Sequence, residues 1–285
     1  MMKKLTPVIE WGTLLLSTGI VGFFLVVILL DLTIKGLPAL SWEFISTFPT
    51  EGMTKGGILP AIIGTVLLTL ITAAAAAPFG ICCAIYLNEY AAETWITKLI
   101  RASIRNLAGI PSIIYGLFGL ALFVQGLGMG TSLLSAGLTL GLLSLPYIIT
   151  TTEEALRRIP NSTREAALAV GATQFESIRD VVLPSALPGI LTGLVLTLSR
   201  AAGETAPILF TGVAFYINNP TGYLNQEFMA LPYHLYMLST QHHSIDEVRP
   251  LAYGTALVLL CVVFFLNLTA FYIRYKHNKN APRAH

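Results

Sequence analysis

The sequence predicts an all-α membrane protein that crosses the bilayer six times. Three observations predict it. Of the 285 residues, 54% are apolar and only 11% charged, less than half the charge of an ordinary soluble domain. The apolar residues gather in six long runs, each able to supply the roughly 20 helical residues that a hydrocarbon core demands. Those runs lack the alternating ten-residue pattern of barrel strands, so helices must satisfy the backbone inside the lipid.

Taken in order, the first run, 11–30, follows Lys3 and Lys4 as a secretory leader would. Its apolar core is too long for a leader and no small-residue cleavage site follows Leu30, so it reads as a retained span. The second, 58–87, exceeds what a bilayer needs and contains Pro78, which predicts a tilt, a kink or an extension beyond the lipid. The third and fourth runs are 107–125 and 131–150; the fifth is 187–210 and the sixth 251–272. The division expected is an N-terminal tail, first span and outer loop at 1–57, a transmembrane domain at 58–272 with a hydrophilic loop at 151–186, and a tail at 273–285. Cys82, Cys83 and Cys261 fall inside spans at a spacing that suits no metal, and they read as small apolar residues. The expectation is a chain with no catalytic set, no metal site and no cofactor.

Charge sets the orientation. With the N-terminus in the cytoplasm, thirteen basic residues from Lys3 to Arg283 fall on that side, against Lys35, Lys55 and Arg249 on the other. Such an asymmetry predicts that both termini and the 151–186 loop are cytoplasmic. The net charge of +2 is spread along one membrane face, which suits contact with lipid headgroups and not with nucleic acid.

The hydrophilic loop carries its own structural signals. Pro160 ends a helical run that begins near Thr152, and Ser162 stands three residues before Glu165 at capping-box spacing. Gly171 suits a left-handed helix end, where a Cβ would be penalised. Thr173 and Glu176 repeat the capping-box spacing, and Leu183-Pro184 closes the loop. The small residues Ala166, Ala167 and Ala169 offer a surface that another protein can approach closely. A plain helical hairpin is one alternative and a DNA-binding helix-turn-helix another. The second helix of such a reader would present Gln174, Glu176, Ser177, Arg179 and Asp180, whose two acids repel the phosphates that DNA affinity depends on.

The interiors of the six expected spans hold only two formal charges, Arg200 and Glu204, both in the fifth. A charge at mid-bilayer costs on the order of 3 kcal/mol, so the pair needs a reason. Spaced i, i+4, the two share a helix face. Counting about 1.5 Å per residue from Leu187 puts Arg200 roughly 20 Å into the span. Gly203 and Pro207 flank Glu204 and predict a loosened helix there. Two readings stay open: an ion pair holding helices together, or an anion site with Arg200 as the cation and Glu204 setting its geometry.

The run Glu165-Ala166-Ala167, three residues, Gly171, nine residues, Val181-Val182-Leu183-Pro184 reads as EAA-x3-G-x9-(I/V)-x-LP. It resembles the signature loop of permease subunits of binding-protein-dependent ABC importers. The stretch Ser199-Arg200-Ala201-Ala202-Gly203-Glu204-Thr205-Ala206-Pro207 is similar to the fifth span of phosphate-specific permeases. So are Leu87-Asn88-Glu89-Tyr90-Ala91 and Ile110-Pro111-Ser112-Ile113-Ile114-Tyr115-Gly116-Leu117-Phe118. Together with Leu145-Pro146 and Thr151-Thr152-Glu153-Glu154-Ala155-Leu156-Arg157-Arg158-Ile159-Pro160, they resemble the PstA-type more than the PstC-type. The likeness runs from about Gly57 to Phe210 and is weaker in the first span and the outer segment.

The resemblance implies an ABC type I importer permease fold in a bacterial plasma (inner) membrane. It implies half of a phosphate pathway, with Ser199, Arg200, Glu204 and Thr205 along it. A PstB-like ATPase would dock on Glu165, Ala166, Ala167, Gly171, Leu183 and Pro184. A PstC-like permease and an extracytoplasmic PstS-like phosphate-binding protein would complete the complex. The chain has no G-x4-G-K-[S/T] phosphate loop of its own. The outer segment 211–250, with Tyr216, Tyr223, His234, His242 and His243, is the expected docking surface for the binding protein, its histidines at the membrane interface and not on a metal. Permeases for sulfate, molybdate, phosphonate or a polyamine are the nearer alternatives, although a polyamine path would want unpaired carboxylates. A secondary transporter would show a matching charged span in its other half, and none is present.

Overall fold

A computed structural model describes residues 5–217 and 224–280. Lys3, Lys4, Tyr223 and Arg283 lie outside the described residues. Helix α1 (Leu5–Gly36) is rich in apolar residues and is exposed from Trp11 to Leu30, so that stretch stands out from the bundle as an arm. Its C-terminal turns meet the body: Leu32 and Lys35 lie against the last helix, and at Gly36 Leu257 and the Tyr253 carbonyl approach closely enough to exclude a Cβ.

Short elements follow. Helix α2 (Trp42–Ser46) is capped by Ser41, whose Oγ accepts from the Phe44 amide at 3.0 Å. Strands β1 (Pro49–Thr50) and β2 (Lys55–Gly56) pair antiparallel, with Pro49 opposite Gly56. Helix α3 (Leu59–Ile85) passes Pro78 without a break and runs on through a wide π turn at Tyr86–Tyr90. The 32 residues of Leu59–Tyr90 reach about 48 Å, longer than a ~30 Å core.

The third span departs from expectation. Instead of one straight helix over 107–125, helix α4 (Trp95–Ala108) meets helix α5 (Ser112–Gly119) at 99°, and α5 continues in π geometry to Gly126. Pro111 is the physical reason: it has no amide to continue the ladder, and it biases Ile110 away from helical angles. Two tyrosines donate to carbonyls at the break, Tyr115 to Leu107 (3.0 Å), which also accepts from the Ile110 amide, and Tyr147 to Ala108 (2.7 Å).

Helix α6 (Leu133–Arg157) follows, capped by Ser132. Helix α7 (Asn161–Ala169) and helix α8 (Gln174–Ser177) make the hydrophilic loop, and α8 continues through Ile178–Val182 into helix α9 (Leu183–Ala201). Helix α10 (Ala206–Leu209) is one turn, helix α11 (Leu231–Thr240) packs in one cluster with Phe44 of α2, and helix α12 (Ile245–Asn280) completes the described residues. Among these, five helical stretches are long and apolar enough to cross a membrane, and the bent α4–α5 pair makes six.

Four apolar clusters fill the bundle: one around Phe44, Met53, Leu231 and Val248, one around Leu68, Leu140 and Ile208, one around Leu156, Val182 and Ile190, and a small one of Ala84, Leu87 and Ile149. Helices α3 and α6 form the tight centre. A Cβ on Gly137 would collide with Ile71, the close backbone approach that small residues permit between membrane helices.

Candidate functional site

Two places concentrate polar chemistry. The first lies where α9 ends. Arg200 is its penultimate residue, and the chain tightens into i→i+3 bonds, Gly203 N–H to Arg200 O at 3.0 Å and Glu204 N–H to Ala201 O at 3.1 Å. The loosening expected around Gly203 and Pro207 is therefore a full break, after which α10 resumes at Ala206. Two expectations need correction. The helix that carries the fifth apolar run ends at Ala201, not at 210, and Glu204 lies beyond that helix instead of on its face. The pairing survives because the tight turn keeps a near-helical rise: Arg200 Nε lies 3.5 Å from Glu204 Oε1.

That pair joins one segment to itself, so it does not bridge helices. With Arg200 54% exposed, it adds little stability. The contact across helices is made by Tyr147 of α6, whose ring centroid is 4.4 Å from the Arg200 guanidinium carbon. Leu143, Ser144, Tyr147, Thr197, Arg200, Ala201 and Glu204 line a niche of about 10 Å³. Ser199 and Thr205 do not line it. Ser199 is buried with its Oγ unpartnered, and Thr205 precedes α10 without capping it. Tyr147 was not legible in the sequence, where an aromatic inside an apolar run reads as packing. A larger groove of about 370 Å³, between α4–α5 and α6, is lined by Ile104, Ile114, Phe118 and other apolar side chains and offers no cation.

The second place is the hydrophilic loop. The Thr173–Glu176 capping box forms in both directions, the Thr173 amide donating to Glu176 at 2.8 Å and the Glu176 amide to Thr173 Oγ1 at 3.3 Å. Gly171, at φ +94°, is the left-handed elbow expected. The Ser162–Glu165 box does not form. Pro160 takes the N-cap position, so Ser162 falls inside α7 and caps nothing. The run up to Pro160 is also no separate helix but the end of α6. Glu165, Ala166, Gly171 and Pro184 are exposed, Leu183 is half-buried, and Ala167 packs inward. Leu168, Val170 and Phe175 add exposed apolar surface, with Val170 at 86%. Exposed apolar side chains on a helical elbow are available to a partner protein or to a membrane surface.

Beneath the elbow lies an ionic node that sequence reasoning missed. Glu89, at the end of α3, accepts two hydrogen bonds from Arg164 of α7, 2.9 Å from Nε and 2.7 Å from Nη2. Arg164 also donates to the carbonyls of Ile159 and Leu156, and Gln174 donates to the Glu89 carbonyl. Alongside, Arg101 of α4 reaches Glu153 (3.0 Å), Glu93 (2.6 Å) and the Leu87 carbonyl (2.7 Å). The Arg101 hydrogen bond holds the Glu93 carboxyl below its usual range. The loop is thus riveted to the ends of α3 and α6. These arginines read in the sequence only as topology signals; a carboxylate directly after an apolar run was the available clue.

The segment that carries the histidines also differs from expectation. His234 and His242 are buried and belong to the fold: His242 Nε2 lies 2.9 Å from the Gly52 carbonyl, and its Nδ1 accepts from the Ser244 amide. Only His243 of the three is exposed, stacked on His242 at 4.7 Å.

Helical elbow, broken fifth span and bent third span together describe a transporter's membrane subunit. Residues 76–279 match the family described as "Binding-protein-dependent transport system inner membrane component", and the chain belongs to that family. It is 32% identical over 281 residues, 95% of each chain, to the probable ABC transporter permease protein YqgI of Bacillus subtilis (strain 168). It is 35% identical over 250 residues, 87% of each chain, to the phosphate transport system permease protein PstA of Pasteurella multocida (strain Pm70). Its fold resembles the inward-facing MetNI methionine ABC transporter, with a TM-score of 0.63 at 20% identity over 77% of this chain and 95% of that one. The resemblance drawn from the EAA loop and fifth span therefore holds at the level of family and fold.

Proposed function

We propose that this chain is the PstA-like permease subunit of an ATP-driven phosphate importer in a bacterial inner membrane, forming half of the translocation pathway. In this reading both termini and α7 face the cytoplasm, and the domain division is the one expected from the sequence. A PstC-like permease supplies the other half, a PstB-like ATPase docks on the α7–α8 elbow, and a PstS-like protein delivers phosphate from outside. The observation that carries the reading is Arg200 at the break of the fifth span, half-exposed beside Glu204, in a chain 35% identical to a phosphate permease.

The chemistry follows from those two groups. Arg200 offers planar N–H donors to an oxyanion. Glu204 repels a fully deprotonated oxyanion such as sulfate, whereas phosphate near neutral pH still carries a proton to donate to that carboxylate. Selectivity then comes from a repulsive element aimed at the wrong anion. The exposed edge of Arg200 is the side from which a second permease would close the path. Ser199 and Thr205 belong to the same stretch of that path.

The test is ATP-dependent uptake of labelled phosphate, sulfate and molybdate into proteoliposomes carrying the four chains. Phosphate is the anion expected to accumulate; accumulation of another in its place overturns the choice of solute. Replacing Glu204 by Gln is expected to narrow the phosphate-over-sulfate preference by about tenfold, equivalent to ~1.4 kcal/mol of lost repulsion. An unchanged preference removes Glu204 from selectivity.

A further inference from the structure

Arg200 meets two groups of its own chain, and they differ in kind. Glu204 lies 3.5 Å from Nε, on the same segment as Arg200. Tyr147 lies on a different helix, its ring 4.4 Å from the guanidinium carbon, a close stacking distance for a cation over an aromatic face. A second contact fixes the ring, since the Tyr147 hydroxyl donates to the Ala108 carbonyl at 2.7 Å, the last residue of α4 before the 99° break. That carbonyl has no helical amide to accept from because the helix stops there. Tyr147 is thus held at its hydroxyl by the bend of the third span and presents its face to the cation at the break of the fifth.

The consequence for the cation is geometric. A guanidinium in a long side chain has many rotamers, and holding it productively costs conformational entropy. With one face on Tyr147 and Nε toward Glu204, the Nη edge of this 54% accessible side chain has no hydrogen-bond partner among the described residues. That edge is the part of arginine that matches two oxygens of a tetrahedral anion. We propose that Tyr147 is a positioning residue for anion passage: its ring holds Arg200 so that the Nη edge meets the anion. The proposal rests on the reading of Arg200 as part of the anion path and adds the residue that aims it. The ring, and not the hydroxyl, carries the effect on Arg200; the hydroxyl only anchors the ring.

The experiment uses proteoliposomes carrying the full complex with saturating phosphate-loaded binding protein, and reads phosphate transported per ATP hydrolysed. Tyr147→Leu removes the ring and is expected to lower that ratio about tenfold, in the range of a partly desolvated cation–π contact. Tyr147→Met fills the space with flexible apolar volume and covers the case in which leucine prevents assembly. It is expected to fall as far. Tyr147→Trp and Tyr147→Phe keep a ring and are expected to retain most of the ratio. In the background of Arg200→Gln, Tyr147→Leu is expected to cost nothing further, because the residues act as one unit. A normal ratio in Tyr147→Leu and Tyr147→Met overturns the proposal, as does a multiplicative loss in the double variant. So does a fall in Tyr147→Phe equal to that in Tyr147→Leu, which would make the hydroxyl the working part. If Arg200→Gln alone carries phosphate normally, the anion-path reading itself fails, and that result is distinguishable from the others.

Discussion

Glu89 and Arg164 illustrate how much a single residue pair does here. Side-chain exposures are 6% for Glu89 and 19% for Arg164, and the contact is bidentate. Removing one partner of such a pair leaves a nearly buried charge uncompensated, whereas removing both is often close to neutral. Glu89→Gln is therefore expected to destabilise the protein by about 2 kcal/mol, below the full buried-pair range because Arg164 retains some water. The double variant Glu89→Gln, Arg164→Leu is expected to recover part of that loss. Thermal unfolding in detergent of the two singles and the double checks this. Recovery would be absent if the pair were only a surface contact. Since Arg164 holds α7 to the end of α3, the same singles are also expected to loosen the elbow without touching the anion niche.

At the scale of elements, breaks carry more information than spans. Pro111 stops α4 and turns the third span through 99°, and the tight turn after Ala201 stops α9 where its charges sit. Helix α11 shows the opposite strategy, placing a polar residue in the interior. His234 is 4% exposed with its Nδ1 unpartnered, and burial pushes its pKa down to about 4. The folded protein therefore keeps this imidazole neutral, while the unfolded chain takes up a proton below about 6.5. Stability is unaffected above that value, falls as pH drops between about 6.5 and 4, and loses about 3 kcal/mol in full. Wild-type Tm is expected to fall between pH 7.5 and 5 by more than that of His234→Met; equal falls would show that His234 does not set the acid sensitivity.

Viewed as one molecule, the chain is a bundle whose core was legible and whose joints were not. Apolar runs mark membrane helices because lipid leaves the backbone few alternatives, and Arg200 stood out because a charge in such a run is costly. Gly171 and the Thr173–Glu176 box were readable because left-handed angles and capping spacing are local chemistry. The Ser162–Glu165 box used the same local rule and failed because Pro160, two residues earlier, took the cap position. Helix α4 was hidden because Lys98, Arg101 and Arg105 made it resemble a loop, although its apolar residues face one side. Arg101–Glu153 joins residues 52 apart, and Tyr147–Arg200 joins residues of separate helices; sequence spacing does not encode such contacts.

The account stands on Arg200 as a cation on the path of an anion, and one comparison addresses it. ATP-dependent phosphate uptake would be measured in proteoliposomes carrying wild type or Arg200→Gln with the permease partner, ATPase and binding protein, with ATP hydrolysis followed in parallel. The expected result is uptake reduced by about tenfold or more, since a charge-assisted hydrogen bond to the anion is worth roughly 1.5–3 kcal/mol, while the complex still assembles and hydrolyses ATP. Normal uptake in Arg200→Gln would contradict the account and leave the residue as a structural partner of Tyr147 and Glu204.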